Sequence, residues 1–411
     1  MRISTSQIFE AGTNQLGTLQ SQMARTQMQL STGRRMLTAA DDPVASARAL
    51  EVTQSQSVNS QFATNRANVR SSLAQEEVAL SSAGDLIKDV QELVVRAGGG
   101  IMNDADRLSL ATEVEGRLED LLAIANTADG QGGYVFGGFN STRLPFARSA
   151  AGADYFGDQG QRQLQVASSR QIAMSDSGSS VFENNLTGNG TFLTGVAGNN
   201  TGTATVSSGI VTDKTKILNH AYDIKFVTDP LAPSGVSYTV TDKNTNTAVL
   251  PVPPATAAIP YVAGEQIAFD GMSVEIKGIP SNNDAVTIEP STKQSLFTTL
   301  TDLIQTLKTP SVGGTGNAKL TAGLAEVNQN LEKAFDNVLS VRASVGARGK
   351  ELDYLDTAGE DQDIQYAATL QGLQELDLVK AISQFSQQEM SLQAAQKSFK
   401  SLTSLSLFNY I

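Results

Sequence analysis

Apolar residues recur every seven positions at the start of the chain, at Phe9, Leu16, Met23, Leu30 and Leu37, beside a weaker seam of Gly12, Leu19, Thr26 and Gly33. Side chains seven apart share a helix face, so the spacing predicts one long helix. Asp41-Asp42-Pro43 is expected to stop it, with Asp42 as N-cap and Pro43 as the first residue of the next helix. That next helix carries Leu73, Leu80, Ile87 and Val94 in one seam and Val69, Ala83 and Val90 in the other, and Gly98-Gly99-Gly100 is expected to end it. A third segment, starting near Asn103-Asp104, sets Val114, Leu118, Leu121 and Ala125 on one face.

The strongest periodicity lies toward the C-terminus. Leu324, Leu331, Val338, Val345 and Leu352 form one seam, and Val327, Ala334, Val341 and Leu355 the other, interrupted only by Arg348. Nine apolar residues in ten seam positions is a coiled-coil-like pattern. A helix of that span is about 48 Å long. Beyond Gly359, read as the next break, Leu378, Phe385, Leu392 and Phe399 repeat the theme.

Between these helical ends the pattern changes period. Residues 131–290 hold nine of the eleven prolines and are rich in Gly, Thr, Asn and Val. Ile267 and Phe269, then Met272, Val274 and Ile276, alternate about Asp270-Gly271, a two-residue hairpin signal. Tyr238 and Val240 alternate before an Asp242-Lys243-Asn244 turn, and Pro251, Pro253, Pro254 and Pro260 restrict that region to a loop or edge. A Ser291-x-x-Gln294 capping box is expected to open the return to helix. The fold class is therefore mainly α with an inserted β-rich domain, long coiled-coil-like helices from both termini packing together. The expected divisions are terminal helices 1–42 with 359–411, a helical bundle of 43–140 with 291–358, and an outer β-rich domain over 141–290.

Composition narrows the chemistry. The chain of 411 residues has no cysteine, no tryptophan and one histidine, which removes disulfides, thiol nucleophiles and Cys- or His-pair metal sites. His220 lies near Asp223, but a base needs a nucleophile and an orienting acid in register, so it reads as a structural histidine. The glycine runs at 98–100 and 313–316 lack the Lys-Ser/Thr of a phosphate loop and read as helix breaks. Asp41 and Asp42 are explained by capping. A net charge of −12 argues against nucleic acid. No stretch approaches the ~20 apolar residues of a membrane span. The first residues lack the apolar core of a cleaved signal peptide. No catalytic, cofactor or metal site is expected.

A single seam on a long thin helix buries little apolar surface against the conformational entropy of ordering it. The first 40 and last 35 residues are therefore expected to fold when neighbouring copies cover them.

The same residues carry a resemblance. Leu30-Ser31-Thr32-Gly33-Arg34-Arg35 with Ala39-Ala40-Asp41-Asp42-Pro43 resembles the N-terminal signature of the bacterial flagellin superfamily, and Ser340 to Arg348 with Leu352-Asp353 resembles its C-terminal one. The signature positions here are Gly33, Arg34, Asp41, Asp42, Pro43, Arg342, Gly346 and Arg348. Within the superfamily, the start Met1 to Thr5, Gly133 to Phe139, Pro145-Phe146, Tyr155 to Asp158, the stretch from Phe269-Asp270-Gly271-Met272 through Gly278-Ile279-Pro280 and the ending Ser406 to Ile411 are similar to the hook-associated group rather than to flagellin. One departure is Asn282-Asn283-Asp284, where a Gly-Asp turn is expected.

The resemblance implies an extracellular structural component of the flagellum, exported unfolded by the type III apparatus without a cleaved signal. It implies a ring of copies at the hook–filament junction, between hook-associated protein 1 and flagellin, with a cytoplasmic export chaperone on the C-terminal helix beforehand. Membrane insertion is not implied. A flagellin-type filament subunit and a secreted adhesin-type module are the competing readings.

Overall fold

The computed structural model describes residues 5–404 apart from 100, 101, 131, 253, 255 and 256. The Met1 to Ser4 and Ser406 to Ile411 motifs, Gly100 and Pro253 lie outside the described residues. The helices are α1 (Thr5–Thr32), α2 (Pro43–Ala97), α3 (Asp104–Ala125), α4 (Leu296–Lys308), α5 (Gly313–Gln374) and α6 (Leu378–Ser404). The strands before residue 200 are β1 (Phe146–Ser149), β2 (Gly152–Tyr155), β3 (Gln163–Ala167), β4 (Arg170–Ala173), β5 (Asn185–Leu186) and β6 (Phe192–Val196). There follow β7 (Thr205–Val206), β8 (Ile210–Val211), β9 (Tyr222–Thr228), β10 (Val236–Asp242), β11 (Thr247–Leu250) and β12 (Ile259–Pro260). The last are β13 (Gln266–Phe269), β14 (Met272–Lys277), β15 (Ala285–Pro290) and β16 (Lys293–Gln294). The chain divides into two units, residues 1–65 with 353–411 and residues 66–352.

In the first unit α1 and α6 lie antiparallel, with the Phe9 and Phe399 rings 5.2 Å apart at one end. α1 ends earlier than the Asp41-Asp42-Pro43 signal predicts. Gly33, at φ +68°, takes the left-handed conformation that closes a helix C-terminus, so Leu37 sits in the following turn rather than on the helix. Asp42 caps α2, its carboxylate accepting from the Ala45 N–H at 3.0 Å. Gly359 does not break the C-terminal helix. It lies buried within α5, where a single glycine costs only about 1 kcal/mol against Ala, and its carbonyl accepts from the Asn59 side chain at 2.8 Å. The break comes instead at Glu375–Asp377, where the Asp377 carboxylate caps α6 through the Lys380 N–H at 3.0 Å.

The second unit is a helical bundle with a β-domain. α3 opens with a capping box of Asn103 and Asp106 and packs on α4. Its Val114, Leu118, Leu121 and Ala125 are buried, as are both seams of α2 from Val69 to Val94. The Gly84 Cα edge faces Phe335 and Val338, so α2 and α5 pack closely there. The second glycine run, 313–316, forms the first turn of α5 rather than a break between helices. The Ser291 capping box does not form. Residues 293–294 pair as β16 with β5, and Ser295 caps α4 instead, accepting from the Phe297 N–H at 3.3 Å.

One antiparallel sheet runs β11-β10-β9-β15-β6 with β12 on β10, and another runs β13-β14-β7 with β8 on β14. Tyr222, Ile224, Phe226 and Ile288 from the first and Ile267, Val274 and Ile276 from the second share one buried core. Phe269 pairs with Met272 across Asp270-Gly271, both at positive φ as a tight hairpin requires.

Candidate assembly site

The predicted seam residues fall into two physical classes. In the second unit Leu73, Leu80, Ile87, Val94, Leu324, Leu331, Val338, Val345 and Leu352 are buried by this chain's own packing. In the first unit Leu16, Met23, Leu30, Phe385 and Phe399 are half-buried, Leu392 is buried, and Phe9 and Leu378 are exposed. Val379 at 81 % exposure and Ile382 and Met390 add uncovered apolar surface on α6. The two-helix pairing of α1 and α6 therefore fills only part of the terminal seams, and unfilled apolar surface favours association.

Where α1 turns into α2 and α5 into α6, the two turns lock together. Arg35 donates its backbone N–H to the Gln374 carbonyl at 2.8 Å, and Leu376 donates to the Gly33 carbonyl at 3.0 Å. Arg34 and Glu375 form a bridge between them, and the Arg35 guanidinium reaches the Leu373 carbonyl at 2.9 Å. Asp41 accepts from the N–H groups of Leu37 at 2.8 Å and Thr38 at 3.0 Å and pairs with Arg25 at 2.5 Å. The Thr38 and Leu37 amides, then Arg25, hold the Asp41 carboxyl below its ordinary value. Asp42 meets Arg35 at 3.3 Å. Gly33, Arg34, Asp41, Asp42 and Pro43 thus build one interlocked corner. The periodicity does not point to Gln374, because its partner Arg35 is more than 300 residues away in sequence. Beside the corner lies a groove of about 580 Å³ lined by Arg25, Thr26, Arg35, Lys380 and Gln388 among others.

The C-terminal signature residues sit elsewhere, in the second unit. Arg342 donates two hydrogen bonds to Glu77 on α2, at 2.9 and 2.6 Å, which ties the two long helices together. Arg348 pairs with Asp176 and donates to the Ala173 carbonyl at 3.2 Å. Gly346 is exposed, and a side chain there would meet open space.

The hook-type motifs of the middle region also converge. Asp158 accepts from the N–H groups of Phe139, Asn140 and Gly160 at 2.8–2.9 Å, and those bonds, led by Phe139, lower its carboxyl pKa. Tyr155 donates its hydroxyl to the Phe136 and Asp158 carbonyls. Phe146 packs on Tyr155, Phe182 and Phe297. In the departing turn Asn283 adopts φ +67°, the role expected of glycine, while the Asp284 carboxylate binds the amides of Ser281, Thr201 and Gly202. His220 pairs with Asp242 at 2.7 Å rather than with Asp223, and Asp242 also accepts from the Asn244 amide, so the pair braces a turn.

Residues 3–141 match the family model of the bacterial flagellin N-terminal helical region, and residues 196–290 that of the flagellar hook-associated protein 1 D2-like domain. Flagellar hook-associated protein 3 of Salmonella typhimurium is 27% identical over 409 residues, covering 99% of each chain. The structure of flagellar hook associated protein-3 from Legionella pneumophila is 31% identical with a TM-score of 0.74, over 78% of this chain and 98% of that one. A second Legionella pneumophila structure, described as the flagellar junction protein FlgL, is 31% identical with a TM-score of 0.71, over 80% of this chain and all of the other. At 31% identity over nearly the whole of both Legionella pneumophila chains, and with the Salmonella typhimurium relative matched along 99% of its length, the chain belongs to the family of flagellar hook-associated protein 3.

Proposed function

We propose that this chain is the structural adaptor at the hook–filament junction of a bacterial flagellum, joining hook-associated protein 1 on one side to flagellin on the other through a ring of its own copies. The observation that carries the mechanism is the contrast between the filled seams of the second unit and the partly filled seams of α1 and α6. A ring of copies would cover Phe9, Leu378, Val379, Ile382 and Met390, and that burial would supply the association free energy.

In this reading the terminal helices line the inner tube and become fully ordered on assembly. The bundle of 43–140 with 291–358 forms the middle layer, and 141–290 faces outward as a spacer. The chain is exported without a cleaved signal and held beforehand at its C-terminal helix by a cytoplasmic chaperone. Its work is mechanical rather than catalytic: one helical lattice must meet another without slipping.

A clean deletion in the source bacterium tests the role. Bare hooks with flagellin monomers shed into the medium are the expected outcome. Hooks with no flagellin anywhere would make this chain the filament subunit, and intact swimming filaments would overturn the junction reading.

A further inference from the structure

Two residues break otherwise apolar seams of the second unit's long helices. Glu76 falls between Val69 and Ala83 on α2, and Arg348 falls between Val341 and Leu355 on α5. Both meet Asp176, which lies just beyond β4.

Glu76 is 0 % exposed. Its Oε1 accepts the Asp176 N–H at 2.8 Å, while its Oε2 is buried with no hydrogen-bond partner among the described residues. Asp176 is itself buried, one oxygen taken by the Gln161 amide at 2.6 Å and the other by the Arg348 guanidinium. The charged groups facing Glu76 are therefore Asp176 from the β-side and Arg348 from α5. Glu77, its neighbour on α2, is engaged by Arg342. The cluster holds two carboxyls and one guanidinium, which pairs with Asp176, so it is electrically neutral only while one carboxyl keeps a proton. An unpaired buried charge is costly, and a group in that position holds its proton instead. Burial first, and the Asp176 carboxyl second, push Glu76 up to about 8.

The cluster stands where the β3–β4 hairpin is tied to the helices, and the ties are polar. Arg348 donates to the Ala173 carbonyl at 3.2 Å, Arg66 to the Val166 carbonyl at 3.0 Å, and Arg170 to Glu351 at 2.7 Å. We propose that Glu76, Asp176 and Arg348 form a proton-operated latch that holds the β3–β4 hairpin against α2 and α5. The latch is closed while Glu76 carries its proton. When that proton leaves to solvent, two buried anions face one cation, and Asp176 moves away with the hairpin that leads into it.

Hydrogen exchange on the full-length protein tests the latch, following amides of residues 163–176 between about pH 6 and 9 after correction for intrinsic rates. Opening releases one proton, so protection should fall about tenfold per pH unit and level off above about pH 8. Glu76→Gln keeps the shape without the titration and should give a flat profile. Asp176→Asn removes the repulsion from the other side and should level off at a lower pH than the parent. A flat profile in the parent protein, or a profile unchanged by both substitutions, would overturn the proposal.

Discussion

Gly12 on α1 and Phe399 on α6 meet so closely that a Cβ on Gly12 would lie 2.6 Å from the Phe399 ring. The missing side chain is what lets the ring reach across and pack against Phe9. A larger residue at this position must displace the Phe399 ring and with it the contact to Phe9. Gly12→Leu is therefore expected to cost the terminal pair about 1–3 kcal/mol by overpacking. Loss of helical circular dichroism in the variant at a temperature where the parent is unchanged would report it.

The terminal pair offers a second test, this one of ordering on assembly. Two helices with half-buried seams have few buried apolar contacts, and such elements open at low free energy. Amides of α1 and α6 should exchange quickly in the free protein and slowly after incorporation into the flagellum. Strong protection of both helices in the monomer would contradict folding on assembly.

Gly138 marks a turn with no room for change. It sits at φ +70°, and a Cβ there would run into the Asp158 carboxyl and carbonyl. The left-handed backbone alone costs an alanine about 1–2 kcal/mol. Gly138→Ala should therefore destabilise the second unit by at least that amount. A urea midpoint equal to the parent's would show that the turn can relax.

Much of this architecture is legible in the heptads, because helix-face periodicity survives any tertiary context. The Asp42-Pro43 cap and the Asp270-Gly271 turn are legible for a similar reason, since each is satisfied by atoms a few residues away. The errors share a cause as well. Gly359 carries the ordinary signal of a break, yet Asn59, 300 residues away, helps to hold it inside α5. Gly33 fits the weak seam by its spacing, yet its positive φ ends the helix. The Ser291 box lost to Ser295 because β16 needed residues 293–294 for pairing with β5. The interlocked corner and the Glu76 cluster depend on partners at least 100 residues apart, for which one sequence holds no pattern. The polar residues at seam positions 76 on α2 and 348 on α5 are the local traces of the cluster.

Acid should weaken the β-domain through Asp242. Burial alone would raise its carboxyl, but His220 at 2.7 Å and the amides of Asn244 and Thr245 outweigh that and bring it down to about 2. A carboxyl lowered in the folded state stabilises it above its unfolded pKa of about 3.9. That contribution is lost as the pH falls from about 4 to about 2. The urea midpoint read by tyrosine fluorescence should drop across this window, and Asp242→Asn should flatten the dependence. Persistence of the full drop in Asp242→Asn would assign it to other carboxylates.

The buried seam separates folding from assembly most sharply at Leu331. Its side chain is 0 % exposed on α5, in a helix layer that this chain fills by itself. Leu331→Ala leaves a cavity and should cost about 2–5 kcal/mol in denaturant unfolding. Leu331→Asp adds an unpaired charge to the same site and should cost more. The β-domain core of Tyr222, Ile224 and Phe226 lies on other elements and should keep its protection in either variant. Incorporation should fail for Leu331→Asp, because the helices that present the terminal pair lose their packing. A Leu331→Asp protein that still supports normal motility would remove α5 from the assembly mechanism, leaving the α1–α6 surface to act without it.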